Sequence, residues 1–230
     1  MRLDQFIATT SPLSRKEAKR AIAGGRVGID GQPCRHAATH IDDSARVTLD
    51  GGVLTLAGER YLMLNKPVGV VSATTDSDHP TVLDLLPGDI GRGLHIAGRL
   101  DADTTGLVLL TTDGQWSHRV TSPRVRCPKT YRVTLSEPLS DDALHALEAG
   151  VTLRHEPRPT KPAEIRRLAD REIELTIVEG RYHQVKRMLA AVGNHVDALH
   201  RQSIGAITLD PGLATGEFRE LIRSEIDSVA

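Results

Sequence analysis

The chain reads Gly98-Arg99-Leu100-Asp101-Ala102-Asp103-Thr104-Thr105-Gly106-Leu107-Val108-Leu109-Leu110 from residue 98 to residue 110, a polar loop that leads directly into an apolar run. Such a run beside glycine and polar residues predicts a buried strand preceded by a loop. A loop held at the end of a buried strand is a common place for functional groups. Asp101 and Asp103 are therefore candidates for chemistry, although either carboxylate can also form a simple Asx turn beside glycine.

Strand and helix signals alternate around this loop. Strands are predicted in five apolar or alternating blocks, at residues 61–64, 107–112, 129–135, 173–178 and 206–209. One helix is predicted between Ser140 and Gly150, because a capping serine and two acids open it and a glycine closes it. A second helix is predicted at about residues 182–192, where an apolar stripe leaves His183, Lys186 and Arg187 on another face. This pattern predicts an α+β fold around a mixed, mostly antiparallel sheet with flanking helices.

The first 57 residues are predicted to form a separate small, basic domain. Ser14-Arg15-Lys16-Glu17 matches a capping box, which predicts a helix over about residues 15–23 that ends at Gly24. Its basic residues, Arg15, Lys16, Lys19 and Arg20, lie four apart in pairs, and such like charges destabilise a helix unless they meet an anion. Short strands are predicted at residues 26–29 and 46–49. Residues 58–60 are the predicted linker and residues 61–230 the second domain.

Composition excludes several classes of protein. Among 230 residues, 39% are hydrophobic, yet no apolar run is long enough to span a bilayer, and the N-terminus does not resemble a secretory signal. We therefore expect a cytoplasmic protein. Cys34 and Cys127 are far apart in sequence, which is typical of neither a disulfide scaffold nor a zinc site. The net charge is −1, so attraction to phosphate depends on local patches, such as the five bases without an acid at residues 114–136.

Several motifs, in order along almost the whole chain, resemble those of the pseudouridine synthases. Residues 98–107 resemble the aspartate loop of that family, Lys129-Thr130-Tyr131 with Val133 its second motif, and residues 179–188 its third motif. Residues 61–67 resemble the first strand of its catalytic domain. Residues 1–7, 14–15 and 26–31 resemble an S4 RNA-binding domain. The resemblance implies an isomerase, an intramolecular transferase that acts on ribosomal RNA, with an S4-like domain at its N-terminus.

The resemblance also implies roles for individual residues. Asp101 is expected to be the catalytic carboxylate, which attacks the ribose or the base or removes a sugar proton, and Tyr131 is expected to pack on the uracil. Burial disfavours a charged carboxyl, so a cation is needed beside Asp101. Lys186 matches the basic position of the family, where arginine is common, and the adjacent Arg187 is the alternative. Arg99 is expected to fill the gap that a flipped base leaves in an RNA helix.

RNA contacts are expected from a larger set of polar and basic residues. These are Arg15, Lys16, Lys19, Arg20, Arg26, Arg99, Lys129, His183, Gln184 and Arg187. No metal and no other cofactor is expected, because the implied reaction is an isomerisation. The implied target is uridine 516 of small-subunit (16S) ribosomal RNA, bound by a monomer in a partly assembled ribonucleoprotein.

Three alternatives remain open at this stage. The first is a related enzyme that acts on large-subunit (23S) ribosomal RNA; residues 183–188 and Trp116-Ser117-His118 resemble the small-subunit branch more closely. The second is a ribosome-assembly factor that binds RNA without catalysis, which would not require Asp101, Tyr131 and Lys186 together. The third is a metal-dependent transfer reaction through Asp101 and Asp103, whose spacing suits a divalent ion.

Overall fold

The computed structural model describes residues 1–42, 45–55 and 58–229. The chain divides into two compact units, Met1–Glu59 and Arg60–Ala230. The predicted domain boundary at residue 57 lies outside the described residues and stays a prediction.

The first unit combines two helices with a small antiparallel sheet. Helices α1 (Leu3–Thr10) and α2 (Arg15–Ala23) share a core with strands in the order β2-β1-β3-β4, which are Gln32–Pro33, Val27–Ile29, Val47–Leu49 and Gly52–Leu54. The predicted helix at residues 15–23 is confirmed, and so is its capping box, since Ser14 Oγ accepts from Glu17 N and the Glu17 carboxylate accepts from Ser14 N. Helix α1 was not predicted.

The second unit is built on a nine-stranded mixed sheet. Its main path is β13-β5-β7-β11-β8-β10-β9, with β12 beside β11 and β6 beside β7. The strands are β5 (Tyr61–Lys66), β6 (His95–Ala97), β7 (Thr105–Thr111), β8 (Lys129–Leu135), β9 (Glu164–Ala169), β10 (Glu172–Ile177), β11 (Val196–Ile204), β12 (Ile207–Thr208) and β13 (Phe218–Glu220). Only β7 and β11 pair in parallel among the described strands. The predicted α+β class with a mixed, mostly antiparallel sheet is confirmed.

Helices cover both faces of this sheet. They are α3 (Gly114–Thr121), α4 (Asp141–Ala149), α5 (Gln184–Ala191) and α6 (Arg223–Asp227), and a 3-10 turn spans Gly88–Gly91. Because side chains alternate along a strand, Leu62 and Leu64 of β5 enter the core that includes Met188 of α5, whereas Met63 enters the core around Trp116 of α3. The sheet therefore separates two cores, and the loop before β7 lies where this inner strand begins.

Gly106 lies at a close approach of β7 and β11. A Cβ atom at this position would lie 2.3 Å from the carbonyl oxygen of Arg201, and the backbone φ angle is +98°. Only glycine fits both conditions. This close approach brings the end of the Asp101 loop, defined here as residues 98–106, against strand β11.

Candidate active site

A cavity of about 710 Å³ opens beside the Asp101 loop. Asp101 lines it from this loop, Tyr131 from β8 and Lys186 from α5. The structure therefore brings together the three residues that the sequence assigned to catalysis. We call this space the first cavity.

Hydrogen bonds from other segments hold the Asp101 loop in place. Leu100 N donates to the hydroxyl of Ser72 at 3.0 Å, and Thr104 N donates to the carbonyl of Asp101 at 3.1 Å. The carbonyl of Ala102 accepts from Gly69 N at 2.8 Å and from the buried Lys66 amine at 3.3 Å. Asp101 is thus carried by a loop whose backbone is fixed on both sides of the carboxylate.

Two nitrogen-bearing side chains face the Asp101 carboxylate. The Lys186 amine lies 3.5 Å from Oδ2, and His183 Nε2 lies 3.4 Å from Oδ1. The same Lys186 amine lies 2.5 Å from Asp103, and this hydrogen bond lowers the pKa of the Asp103 carboxyl. Arg187 instead donates to Glu156 at 2.6 Å. Of the two candidate bases, Lys186 is therefore the one that contacts Asp101.

The turn before α5 places His183. Its backbone has φ +48°, which is uncommon for a residue other than glycine, and its side chain does not cap the helix. The imidazole ring faces Asp101 and stacks on Tyr182, with 3.8 Å between the ring centroids. Tyr182 itself is 77% exposed.

A network of charges fixes this turn to the segment at residues 154–160. Glu156 accepts from both Arg181 and Arg187, and these arginines also donate to backbone carbonyls of Arg154, Arg158 and Pro159. Gln184 is buried and donates to Glu179 at 2.8 Å. Gln184 and Arg187 were predicted to bind RNA, but their observed contacts are within the protein.

Arg201 of β11 is a buried cation that the sequence analysis missed. It is 1% exposed and donates to the carbonyls of Gly98 at 2.6 Å, Leu107 at 2.8 Å and Arg99 at 3.3 Å. Its guanidinium also lies 6.0 Å from the centre of the Tyr131 ring. Arg201 therefore links the Asp101 loop to Tyr131. The sequence signal that could have indicated its burial is the position of this arginine between the apolar residues Leu199 and Ile204.

Lys66 and Lys129 are two further buried amines near the first cavity. Burial lowers the pKa of Lys66 to about 8, although the charges of Asp103 and Asp101 act in the opposite direction. Burial also lowers the pKa of Lys129, whose amine donates to the carbonyl of Cys127 at 2.8 Å. Lys66 belongs to residues 61–67, which resemble the family's first strand, and its contact with the carbonyl of Ala102 depends on the fold.

The expected basic patch at residues 114–136 is smaller than predicted. Lys129 is buried, Arg119 donates to the carbonyl of Val229, and Arg132 forms an ion pair with Glu172. Three of these five bases are therefore engaged within the protein. Arg124 and Arg126 are exposed.

The basic face of α2 is also partly neutralised. The fully buried Asp4 accepts from Arg2 and Arg15 and lies 3.9 Å from the Lys19 amine. The hydrogen bond from Arg2 is the largest of the effects that lower the pKa of Asp4 to about 2. Arg26 pairs with Asp50, whereas Lys16, Arg20 and Arg99 are exposed. Asp4 therefore supplies part of the negative charge that the basic residues of α2 require.

Comparison with known proteins now adds to this geometry. The family model described as RNA pseudouridylate synthase matches residues 60–191. The chain belongs to this family of isomerases. In this RNA pseudouridylate synthase, residues 1–47 also match the S4 domain model.

Similar proteins cover the full length of this pseudouridylate synthase. It is 55% identical over 230 residues to "Ribosomal small subunit pseudouridine synthase A" of Escherichia coli (strain K12), with all of both chains covered. It is 48% identical to the protein of the same name from Haemophilus influenzae, covering all of this chain and 99% of the relative. A crystal structure of a pseudouridylate synthase matches with a TM-score of 0.74 and 46% identity, again over all of both chains.

The described residues contain no helix long and apolar enough to cross a membrane. They also contain no group of three or more histidine, cysteine, aspartate or glutamate side chains arranged to hold a metal ion.

Proposed function

We propose that this chain isomerises a uridine of small-subunit ribosomal RNA to pseudouridine, with Asp101 as the catalytic carboxylate. The observation that carries this proposal is the position of Asp101 in the first cavity, where Lys186 and His183 face its two oxygens and Tyr131 lines the same space. The names of the Escherichia coli and Haemophilus influenzae relatives support the small ribosomal subunit as the source of the RNA. Uridine 516 of 16S RNA is the proposed target, as the resemblance implies.

The proposed reaction breaks one bond and forms another within a single nucleotide. The N1–C1′ bond breaks, the uracil turns, C5 bonds to C1′, and the proton on C5 leaves while N1 gains one. Asp101 acts on this nucleotide as an anion. The Lys186 amine lies 3.5 Å from its Oδ2 and holds the carboxylate in position for the reaction.

The cations around the first cavity suit the charge that develops during the reaction. When the N1–C1′ bond breaks, the bonding electron pair remains on the uracil. Fixed positive charges in a water-poor site stabilise such a transition state. Arg201 lines the first cavity, and the Lys66 amine is close enough to Asp101 and Asp103 to interact with their charges.

A uridine within folded RNA must leave its base stack to reach Asp101, which costs a few kcal/mol. Arg99 is exposed at the rim of the first cavity, two residues before Asp101, and we propose that it fills the space left by the base. Tyr131 offers a flat surface for the uracil inside the cavity.

The S4 domain supplies the second RNA contact in this proposal. Lys16 and Arg20 lie exposed on α2, and phosphate contacts by such bases position an RNA without reading its sequence. Lys19 and Arg15 add positive charge around Asp4. The proposed partner is small-subunit RNA in a partly assembled ribonucleoprotein, bound by a monomer in the cytoplasm.

The experiment measures release of tritium from C5-labelled uridine in small-subunit RNA, both free and partly assembled with its proteins. Wild type is compared with Asp101→Asn, and Asp142→Asn, an exposed aspartate on α4, is the matched control. Asp101→Asn is expected to lower kcat by at least about 10³-fold with RNA affinity retained. Lys186→Met is expected to lower kcat as well, because Lys186 contacts Asp101, whereas Arg187→Met keeps this contact.

Three results would overturn the proposal in different ways. Release from large-subunit RNA alone would reject the substrate and keep the chemistry. RNA binding without release from any RNA would indicate an assembly factor. Full activity of Asp101→Asn would reject the role of this carboxylate.

A further inference from the structure

A second cavity of about 700 Å³ adjoins the first. The two share four lining residues, which are Ser72, Ile96, Arg99 and Thr121. Its volume lies within the range of about 300–1,000 Å³ that is typical of ligand sites in proteins. The exposed Arg99 side chain therefore stands between two spaces, of which only the first contains Asp101.

The lining of the second cavity contains several polar side chains and no acids. It includes the hydroxyls of Ser72, Thr74, Thr75, Ser117 and Thr121, the imidazoles of His95 and His118, and the Arg99 guanidinium. The first cavity, by contrast, is lined by Asp101 and Glu179. Hydroxyl, imidazole and guanidinium groups without carboxylates suit phosphate and ribose oxygens.

Most of these polar groups have no partner within the protein. Over residues 1–42, 45–55 and 58–229, the side chains of Thr74, Thr75, His95, Arg99, Ser117 and His118 make no hydrogen bond or ion pair. The nearby carboxylates of Asp76 and Asp113 are occupied, because they accept from backbone amides of Asp78 and Trp116. The unpaired donors of the second cavity are thus available to a ligand.

We propose that the second cavity binds the ribose and phosphate of a nucleotide next to the target uridine in the same RNA strand. The inference rests on the proposed function, since a strand that places one nucleotide at Asp101 must continue past Arg99. The 2′-hydroxyl both donates and accepts hydrogen bonds, so threonine hydroxyls and imidazoles distinguish RNA from DNA there. Ser72 connects the two spaces, because its buried hydroxyl also accepts from Leu100 N in the Asp101 loop.

The test combines protein variants with changes in the RNA. Affinities are measured by fluorescence anisotropy for a labelled fragment containing the target uridine, for two fragments shortened on either side of it, and for fragments with one 2′-deoxy nucleotide beside it. The variants are His95→Ala/His118→Ala and Thr74→Val/Thr75→Val. The matched control is His145→Ala/His195→Ala, two exposed histidines that line neither cavity.

Each pair of substitutions is expected to weaken binding of the full fragment about tenfold, the effect of one to two lost hydrogen bonds. One of the two shortened fragments lacks the nucleotide proposed to bind in the second cavity. On that fragment the same substitutions change affinity less than about twofold, because the contacts that they remove are already absent. The threonine variant keeps its side-chain shape, so it carries the test if the histidine variant folds poorly.

The outcomes separate this inference from the proposed function. If wild type releases tritium but both variants bind every fragment like the control, the second cavity does not bind the strand. The second cavity is also excluded if the variants lose affinity equally for all fragments. The effect of the substitutions would then not depend on the nucleotides on either side of the target uridine. If wild type releases no tritium from any RNA, the proposed function itself fails.

Discussion

Replacing Arg201 by methionine tests the role of a buried guanidinium in the second unit. Methionine keeps much of the apolar stem and removes the donors to Gly98, Arg99 and Leu107. Two of these bonds, at 2.6 and 2.8 Å, are short, and a hydrogen bond from a charged donor contributes about 1.5–3 kcal/mol. Removing a buried guanidinium also relieves its desolvation, which offsets part of the loss. We expect the free energy of unfolding to fall by about 2–4 kcal/mol.

The chain provides both a probe and a control for this prediction. Trp116 is the only tryptophan and is buried on α3, so its fluorescence during urea unfolding reports on the second unit. Arg132→Met removes an arginine that is 53% exposed and paired with Glu172, and should cost about 0–1 kcal/mol. Arg201→Lys keeps the charge with fewer donors and is expected to lie between wild type and Arg201→Met. A loss below about 1 kcal/mol in Arg201→Met would refute the role assigned to these bonds.

Two further predictions concern the first unit. The double variant Lys16→Gln/Arg20→Gln should lower the slope of log affinity for RNA against log salt by about two, one for each lost phosphate contact. The control is Arg26→Gln, because Arg26 already pairs with Asp50. Equal slopes for the double variant and the control would contradict this prediction. Asp4 has a folded-state pKa of about 2, below its ordinary value of 3.8, so its contribution to stability is complete above about pH 4 and is lost as the pH falls towards 2. Hydrogen exchange of the α1 amides should follow this change in wild type and not in Asp4→Asn, and identical pH profiles would count against it.

Regular local patterns made part of this fold predictable from sequence. The alternation of Lys129, Tyr131, Val133 and Leu135 predicted the observed bounds of β8, and the capping box of Ser14 predicted those of α2. Helix α1 escaped prediction because it begins after Arg2 without a side-chain cap. Strand β11 escaped it because polar residues at 200–203 interrupt the apolar alternation.

The candidate site shows the same division between local and distant signals. Asp101, Tyr131 and Lys186 lie within local motifs, so the family resemblance predicts them from sequence alone. The role of Arg201 depends on carbonyls 94 to 103 residues away, and no local pattern encodes such contacts. Sequence alone does not decide whether Lys186 or Arg187 contacts Asp101. The structure shows that Arg187 instead pairs with Glu156.

The parallel pairing of β7 with β11 has a consequence for the order in which the protein is made. Thr105 and His200 are neighbours across this pair although 95 residues separate them along the chain. A ribosome releases the chain from the N-terminus onwards, so Asp101 emerges long before Lys186 and Arg201 are available to hold it. The candidate active site therefore forms late in synthesis, after β11 has joined the sheet. A partly synthesised chain therefore contains the complete S4 domain, an RNA-binding domain, before it contains all the residues of the candidate active site.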